Sequence, residues 1–266
     1  MEISPFTSAD IEELAALQPE GWTDIKEVYK DYLLRPYCFP LKLKSENKLI
    51  GVGVTITHIN SAWLAQIIVH PDHRKQGLGT LITKALLDKI DTKAFPAISL
   101  IATPLGEPVY QKLGFRKTAE YLLLKSENKV NLPVKGNITR SSATDYASIM
   151  RLDKLASGED RTKYLKQHLS SAKLFTDSGI VRGFYLPTLL HGPVIAFDAE
   201  AGIELMKFRQ NTSDDSAVLP SENKEAIDFL LQQNYKVVNR ASRMSLGQPI
   251  NFKPEMIFNR ISGSLG

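Results

Sequence analysis

The hydrophobic positions of this chain switch between two periods. In "SADIEELAALQP", Ile11, Leu14 and Leu17 fall three apart behind a Ser/Asp cap, which predicts a helix ended by Pro19. "GWTDIKEVYKDYLL" carries a second helical pattern that stops before Pro36. "PLKLKSENKLIGVGVTITHI" predicts two strands around a polar turn, with Ile50, Val52, Val54 and Ile56 alternating along the second. "SAWLAQIIVH" predicts a further strand, broken by Pro71, and "PDHRKQGLGTLITKALLDK" a loop feeding a helix. "AISLIAT" then predicts a strand, "GEPVYQKLG" a short helix closed by Gly114, and "RKTAEYLLLK" a last strand. One unit is therefore expected over residues 1–125.

"SENKVNLPVKGN", residues 126–137, is a polar linker containing Pro133 and Gly136. After it the pattern restarts. "ITRSSATDYASIMRLD" from Ile138 matches "ISPFTSADIEELAALQ" from Ile3, with Asp145 at Asp10 and Tyr146, Ile149 and Leu152 at Ile11, Leu14 and Leu17. Near the other end "IDFLLQQNYKVVNRASRMSL" parallels "EPVYQKLGFRKTAEYLLL", with Tyr235 where Phe115 sits. Two copies of one α/β unit, the second over 138–266, account for the length better than one large domain. The tetrapeptide "SENK" recurs at unrelated points of the copies and reads as turn composition only.

Composition narrows the function classes. The chain has 266 residues, 43% of them hydrophobic and 23% charged, as in a globular protein. A net charge of +4 carries no nucleic-acid footprint, although a basic pocket for a small anion stays open. The single cysteine, Cys38, excludes an intramolecular disulfide and a cysteine-built metal cluster, and it is expected to be a small buried hydrophobe. No metal is expected. The opening "MEISPFTSADIEEL" lacks the apolar core of a signal peptide, and no apolar run reaches the roughly 18 residues of a membrane span. These features predict a cytoplasmic protein with no membrane or nucleic-acid partner. Oligomeric state is left open.

The candidate chemistry begins at the loop before the third helix. Glycines 77 and 79 stand at the start of that helix, whose first N–H groups lack internal partners and suit an anion. A Walker-type loop fails, because Gly79 is followed by Thr80 and Leu81. A dinucleotide fingerprint fails too, because Ile82 stands where a third glycine or alanine belongs. What remains is Arg74-x-x-Gly77-x-Gly79 between strand and helix, with "PVYQKLGF" about thirty residues later. In this order and spacing the pair resembles the GCN5-related N-acetyltransferases, whose pyrophosphate loop reads (Arg/Gln)-x-x-Gly-x-(Gly/Ala). The segment "ATPLGEPVYQKLGF" and the ending "RMSLGQPINFKPEMIFNRISGSLG" look like a tandem bacterial subgroup of that superfamily, in which an active N-terminal unit precedes a degenerate one. The fold class so implied is mixed α/β, with two units that each fold as a twisted, mainly antiparallel sheet flanked by helices.

The resemblance implies acetyl-CoA as cosubstrate and assigns residues to it. Around the loop these are Arg74, Lys75, Gln76, Gly77, Leu78, Gly79 and Thr80; the bare glycines let backbone amides converge on a pyrophosphate. Family members bulge the preceding strand and splay it from the next, and the pantetheine arm lies against that edge, here Ile67, Ile68 and Val69. The N–H of Val69 would polarise the thioester carbonyl. Thr103 and Gly106 lie where family members contact the cofactor. Tyr110 occupies the position that protonates the departing thiolate; a phenol of pKa about 10 stays protonated at neutral pH, against about 8.5 for a thiol. Its alternative is an aromatic packed on a short helix.

The acceptor side is thinner. Family members shape it with the segment joining the first two helices, here "QPEGWTDIKEVYKDY", so Trp22 and Asp24 are candidates for an apolar body and an amine. The alternatives are a packed Trp and a helix N-cap Asp. His70 and His73 are expected at the surface, and Glu159, Asp160 and Arg161 at a solvated helix start. In the second copy "GPVIAFDAEAGIELMKF" has only Gly202, with no leading arginine, and Leu230 stands where Tyr110 falls. That copy is expected to bind no cofactor and to complete the fold and the acceptor pocket. The expected function is transfer of acetyl from acetyl-CoA to a primary amine, on a small molecule or peptide, by direct attack. The alternative is a non-catalytic acyl-CoA-binding sensor.

Overall fold

The computed structural model describes residues 1–127, 131–212 and 216–265. The chain divides into two compact units, Met1–Arg116 with Met244–Gln248, and Lys117–Arg243 with Pro249–Gly266.

In the first unit, β1 (Glu2–Pro5), β2 (Cys38–Ser45), β3 (Lys48–Thr57) and β4 (Ser61–Val69) form an antiparallel sheet in chain order. β5 (Ala97–Ala102) then pairs parallel to β4, and the segment Met244–Gly247 lies beyond it. That outer segment is tied to β5 by Ser99 and Ser245, whose hydroxyls are 3.0 Å apart, and by Gln248 N–H donating to the Pro96 carbonyl at 2.8 Å. α1 (Ile25–Leu33) packs against β2, while α2 (Leu78–Leu87) packs on β3 and β4 and touches α3 (Glu107–Lys112). The close approach of α2 explains the glycines of "LIGVGV": a Cβ on Gly53 would stand 2.9 Å from both Ile82 and Leu86. Leu41, Leu64, Leu78, Ile82, Leu86, Leu100, Tyr110, Phe115 and Met244 form one buried core.

The helix expected over "SADIEELAALQP" is instead two short 3₁₀ helices, Ser8–Asp10 and Glu12–Leu17. The reason is in the spacing. Apolar residues repeating every three positions suit a helix of three residues per turn, and Leu14 N–H duly donates to Ile11.

The second unit repeats the element order. It runs through β6 (Arg116–Lys125), β7 (Asn137–Arg140), α4 (Tyr146–Ser157), α5 (Thr162–Leu165), β8 (Lys173–Asp177), β9 (Ile180–Tyr185), β10 (Val194–Ala196) and α6 (Ala199–Thr212). β11 (Ser216–Pro220), α7 (Lys224–Gln232), β12 (Lys236–Gly247) and β13 (Ile257–Asn259) complete it, β12 running on into the Met244–Gly247 segment above. β7 to β10 follow chain order as a sheet and β13 closes its edge, while β12, β6 and β11 are neighbours in that order. Both copies open on the same reciprocal cap. Asp10 accepts from the N–H and hydroxyl of Thr7, and Asp145 from those of Ser142.

β6 was expected to close the first unit. It pairs antiparallel with β11 through Tyr121–Lys125, and the strand beside β5 comes from Met244–Gly247. Of the expected linker, residues 128–130 lie outside the described residues. Past them the chain is fastened to α6. Leu132 exchanges two 2.9 Å hydrogen bonds with the Asn211 side chain, and Lys135 N–H donates to Glu204.

Candidate functional site

In the first unit Gly77 sits at the N-cap of α2 with φ +79°, a left-handed conformation in which glycine is unstrained. Lys75, two residues earlier, is also left-handed at φ +61°. Alternating hand of this kind curls successive N–H groups toward one point. The first intrahelical bond is from Leu81 N–H to the Gly77 carbonyl at 3.0 Å, so the N–H groups of Leu78, Gly79 and Thr80 precede the helix's internal ladder. A Cβ added to Gly77 or Gly79 would meet no protein heavy atom within 4 Å, so these glycines border open space rather than packed side chains. The Arg74 side chain folds back, its Nε donating to the Val69 carbonyl at 3.1 Å. Gln76 makes a long contact of 3.4 Å from its amide to the Asp72 carbonyl.

The strand leading into this loop is bulged. In the β3–β4 ladder Val52 faces Ile68 and Val54 faces Ala65, so Gln66 and Ile67 together oppose one residue, Gly53. Gln66 has φ +51°. The parallel ladder between β4 and β5 covers only Ser61–Ala97 to Trp63–Ser99. The remainders of both strands, including Ile67, Ile68 and Val69, lie outside it. The bulge and the early end of the ladder are the strand geometry that the resemblance implied here.

Tyr110 is held on α3 with its ring buried, edge to face with Phe115 at 6.0 Å between centroids. Burial alone pushes its phenol up to about 12. Thr103 and Gly106 shape the turn ahead of it. Gly106 N–H donates to Thr103, and a Cβ on Gly106 would stand 3.0 Å from the Tyr110 ring.

Trp22 and Asp24 line one cavity of about 440 Å³ together with Ala15, Gln18 and Lys26. Trp22 is exposed rather than packed. Asp24 does cap a helix, its carboxylate accepting from Lys26 N–H at 2.9 Å, and it lines the cavity as well. His70 caps the turn Pro71–His73 by accepting from Asp72 N–H, and neither histidine is buried. Cys38 is buried.

The second unit carries the same elements, but its own chain fills the corresponding places. Asp198 stands before α6, its carboxylate accepting from Ala201 N–H at 3.0 Å and from Arg182 Nε at 2.8 Å. Burial raises this carboxyl, and the hydrogen bonds from Arg182 and the backbone outweigh it, so it lies below its ordinary value. An anion thus already occupies this helix start. Gly202, in the first turn of α6, packs flat against Phe258, whose ring occupies the place a Cβ would take. β13 pairs antiparallel with β10, while Val218 N–H on β11 donates to Asn259 and Arg260 N–H donates to the Val218 carbonyl. The terminal strand therefore lies between β10 and β11. Leu230 corresponds to Tyr110: its carbonyl accepts from Tyr235 N–H as that of Tyr110 accepts from Phe115 N–H, at 3.0 and 3.1 Å.

Glu159, Asp160 and Arg161 correct an expectation. Glu159 and Arg161 are buried, and Arg161 grips Asp153 with two nitrogens at 3.0 and 2.5 Å while donating to the Leu265 carbonyl. The partner that draws this arginine inside is Asp153, one turn before the end of α4, whose role the sequence pattern did not mark. Among the described residues no group of three His, Cys, Asp or Glu could hold a metal, and no helix is long and apolar enough to cross a membrane.

Comparison with known proteins agrees with this geometry. Two family models, each described as an acetyltransferase (GNAT) domain, match residues 10–123 and 149–259, together more than half of the chain. The chain is 26% identical over 80 residues to the [ribosomal protein bS18]-alanine N-acetyltransferase of Salmonella typhimurium, covering 29% of this chain and 54% of that enzyme. The match thus spans about half the length of that curated relative. A candidate acetyltransferase from Pyrococcus horikoshii shares the fold with a TM-score of 0.82 at 21% identity, over 100% of this chain and 95% of that one. A GCN5-related N-acetyltransferase from Anabaena variabilis gives 0.58 at 11% identity, over 92% of this chain and 72% of its own. GNAT domains use acetyl-CoA as cosubstrate. With a family match on each repeat, the chain belongs to the GCN5-related N-acetyltransferases, as a tandem of two GNAT domains.

Proposed function

We propose that this protein is an acetyl-CoA-dependent N-acetyltransferase whose first unit alone binds the cosubstrate and acts on a primary amine. The observation that carries the reading is the contrast between two equivalent helix starts. Before α2 the glycines border open space and the first N–H groups have no helical partner; before α6 an aspartate occupies the corresponding place. In this reading the amides of Leu78, Gly79 and Thr80 receive the pyrophosphate, and the edge Ile67–Val69 receives the pantetheine arm.

Acetyl-CoA supplies an acetyl group activated as a thioester. The acceptor nitrogen attacks as the neutral amine and bonds to the carbonyl carbon as the carbon–sulfur bond breaks; the sulfur leaves as a thiolate, and the proton the new amide nitrogen sheds balances its charge. Tyr110 is the residue we assign to that sulfur. A phenol held at about 12 stays neutral throughout the physiological range and so keeps its hydrogen. Full transfer to a free thiolate, whose acid has a pKa of about 8.5, is uphill, so its main contribution is a hydrogen bond to the departing sulfur. Trp22 and Asp24 are assigned to the acceptor, with the apolar body against the indole and the ammonium form drawn by the carboxylate. The donor thioester is intracellular, so the reading includes a cytoplasmic location.

The Salmonella relative is named for an alanine of a ribosomal protein, which makes a peptide with an N-terminal alanine one probe of the acceptor. The test is thiol release from acetyl-CoA in the presence of that peptide, amino acids, polyamines and aminoglycosides. Amine-dependent release that Tyr110→Phe slows supports an enzyme. Binding of acetyl-CoA with no release from any amine supports the alternative, a sensor.

A further inference from the structure

Three signals converge on Gln66, a residue that no motif marks. It lies in the β4 bulge with φ +51°, a conformation a non-glycine residue holds only when its surroundings enforce it. Its backbone carbonyl receives the Tyr29 hydroxyl of α1, a long contact of 3.4 Å. Its side-chain oxygen is buried and has no hydrogen-bond donor among the described residues. Buried polar atoms are nearly always paired, so an orphaned acceptor beside strained backbone marks a place where stability has been given up. The position matters: Gln66 immediately precedes Ile67–Val69, the edge outside the β4–β5 ladder.

We propose that Gln66 is a positioning residue for the acceptor, its carboxamide oxygen accepting a hydrogen bond from the attacking primary amine. This rests on the reading of Ile67–Val69 as the edge that takes the thioester arm. A carboxamide accepts a hydrogen bond and cannot take up a proton, so Gln66 orients the amine without deprotonating it.

The test is Gln66→Met, nearly isosteric and without the polar oxygen, with Gln66→Glu beside it. Removing an unsatisfied buried acceptor should raise Tm by about 2–4 °C. Acetyl-CoA affinity, measured by calorimetry, should stay within about twofold. With whichever amine of the panel drives thiol release, KM for the amine should rise roughly tenfold, with the pH profile of kcat/KM unmoved in Gln66→Met and displaced in Gln66→Glu. A fall in Tm for Gln66→Met would show the oxygen to be structural and overturn the proposal, whether or not an amine has been found. An unchanged amine KM would do the same. Failure of the native protein to bind acetyl-CoA at all would instead remove the functional reading on which the proposal rests.

Discussion

Placing a side chain on Gly79 separates binding from folding. Its φ is not left-handed, and an added Cβ meets no heavy atom within 4 Å, so the fold accommodates it. Replacing a helical glycine with alanine stabilises by about 0.5–1 kcal/mol, so the Tm of Gly79→Ala should hold or rise. The same Cβ lies beside the N–H groups of Leu78, Gly79 and Thr80, to which the proposed function assigns the pyrophosphate. Each hydrogen bond to a charged group contributes about 1.5–3 kcal/mol. Loss of one or two weakens binding by roughly 10- to 10⁴-fold, Gly79→Val more than Gly79→Ala. Calorimetric titration with acetyl-CoA and a thermal melt are the paired assays. Gly202→Ala is the opposite case, since its Cβ enters the Phe258 ring. It should cost about 1–3 kcal/mol of stability and leave affinity alone. Native affinity in a folded Gly79→Val protein would refute the reasoning.

Tyr110→Phe keeps the ring and its contact with Phe115, so acetyl-CoA affinity should change little while kcat falls roughly 10²-fold; the native-minus-variant absorbance should show no tyrosinate from Tyr110 until pH approaches about 12. A chain ended after Lys125 lacks Met244–Gln248, which lies beside β5 and supplies the fully buried Met244, so circular dichroism should show residues 1–125 unfolded or aggregated. Asp10 is a case for acid titration: burial raises its carboxyl, but bonds from Lys42 and Thr7 prevail and hold it at about 2, against 3.8. A depressed carboxyl stabilises the fold above its unfolded value and loses that contribution as pH falls toward 2, so Asp10→Asn should cost about 2 kcal/mol at pH 7 and nothing near pH 2.

Most of the secondary structure was legible because sheets and helices of this size declare their period. The repeat was legible for the same reason, down to Asp10 and Asp145. The exchange of final strands was not. "RKTAEYLLLK" and "RMSLG" are both good strands, and nothing local tells which neighbour each will pair with. The loop could be read because glycines 77 and 79 leave a chemical trace in the sequence. Gln66 left none: a glutamine in a strand gives no sign of a bulge, which arises when one strand takes two residues against one. In the second copy the missing glycines were visible. Filling of its cleft by Phe258 and β13 was not, because they come from a distant part of the chain, and Asp198, although it stands just before α6, shows its capping bond only in the fold. Glu159 and Arg161 were misjudged because charge alone suggests solvent, and only the fold supplies Asp153.

The central claim is that one unit holds acetyl-CoA, along the bulged edge and the glycine turn, and that the other does not. Hydrogen exchange measured by mass spectrometry on the full chain, with and without acetyl-CoA, tests it most directly. Protection should appear over 66–80 and around Tyr110, with β10, the start of α6 and β13 unchanged. Protection at β10 and α6, or none over 66–80 at saturating acetyl-CoA, would contradict it.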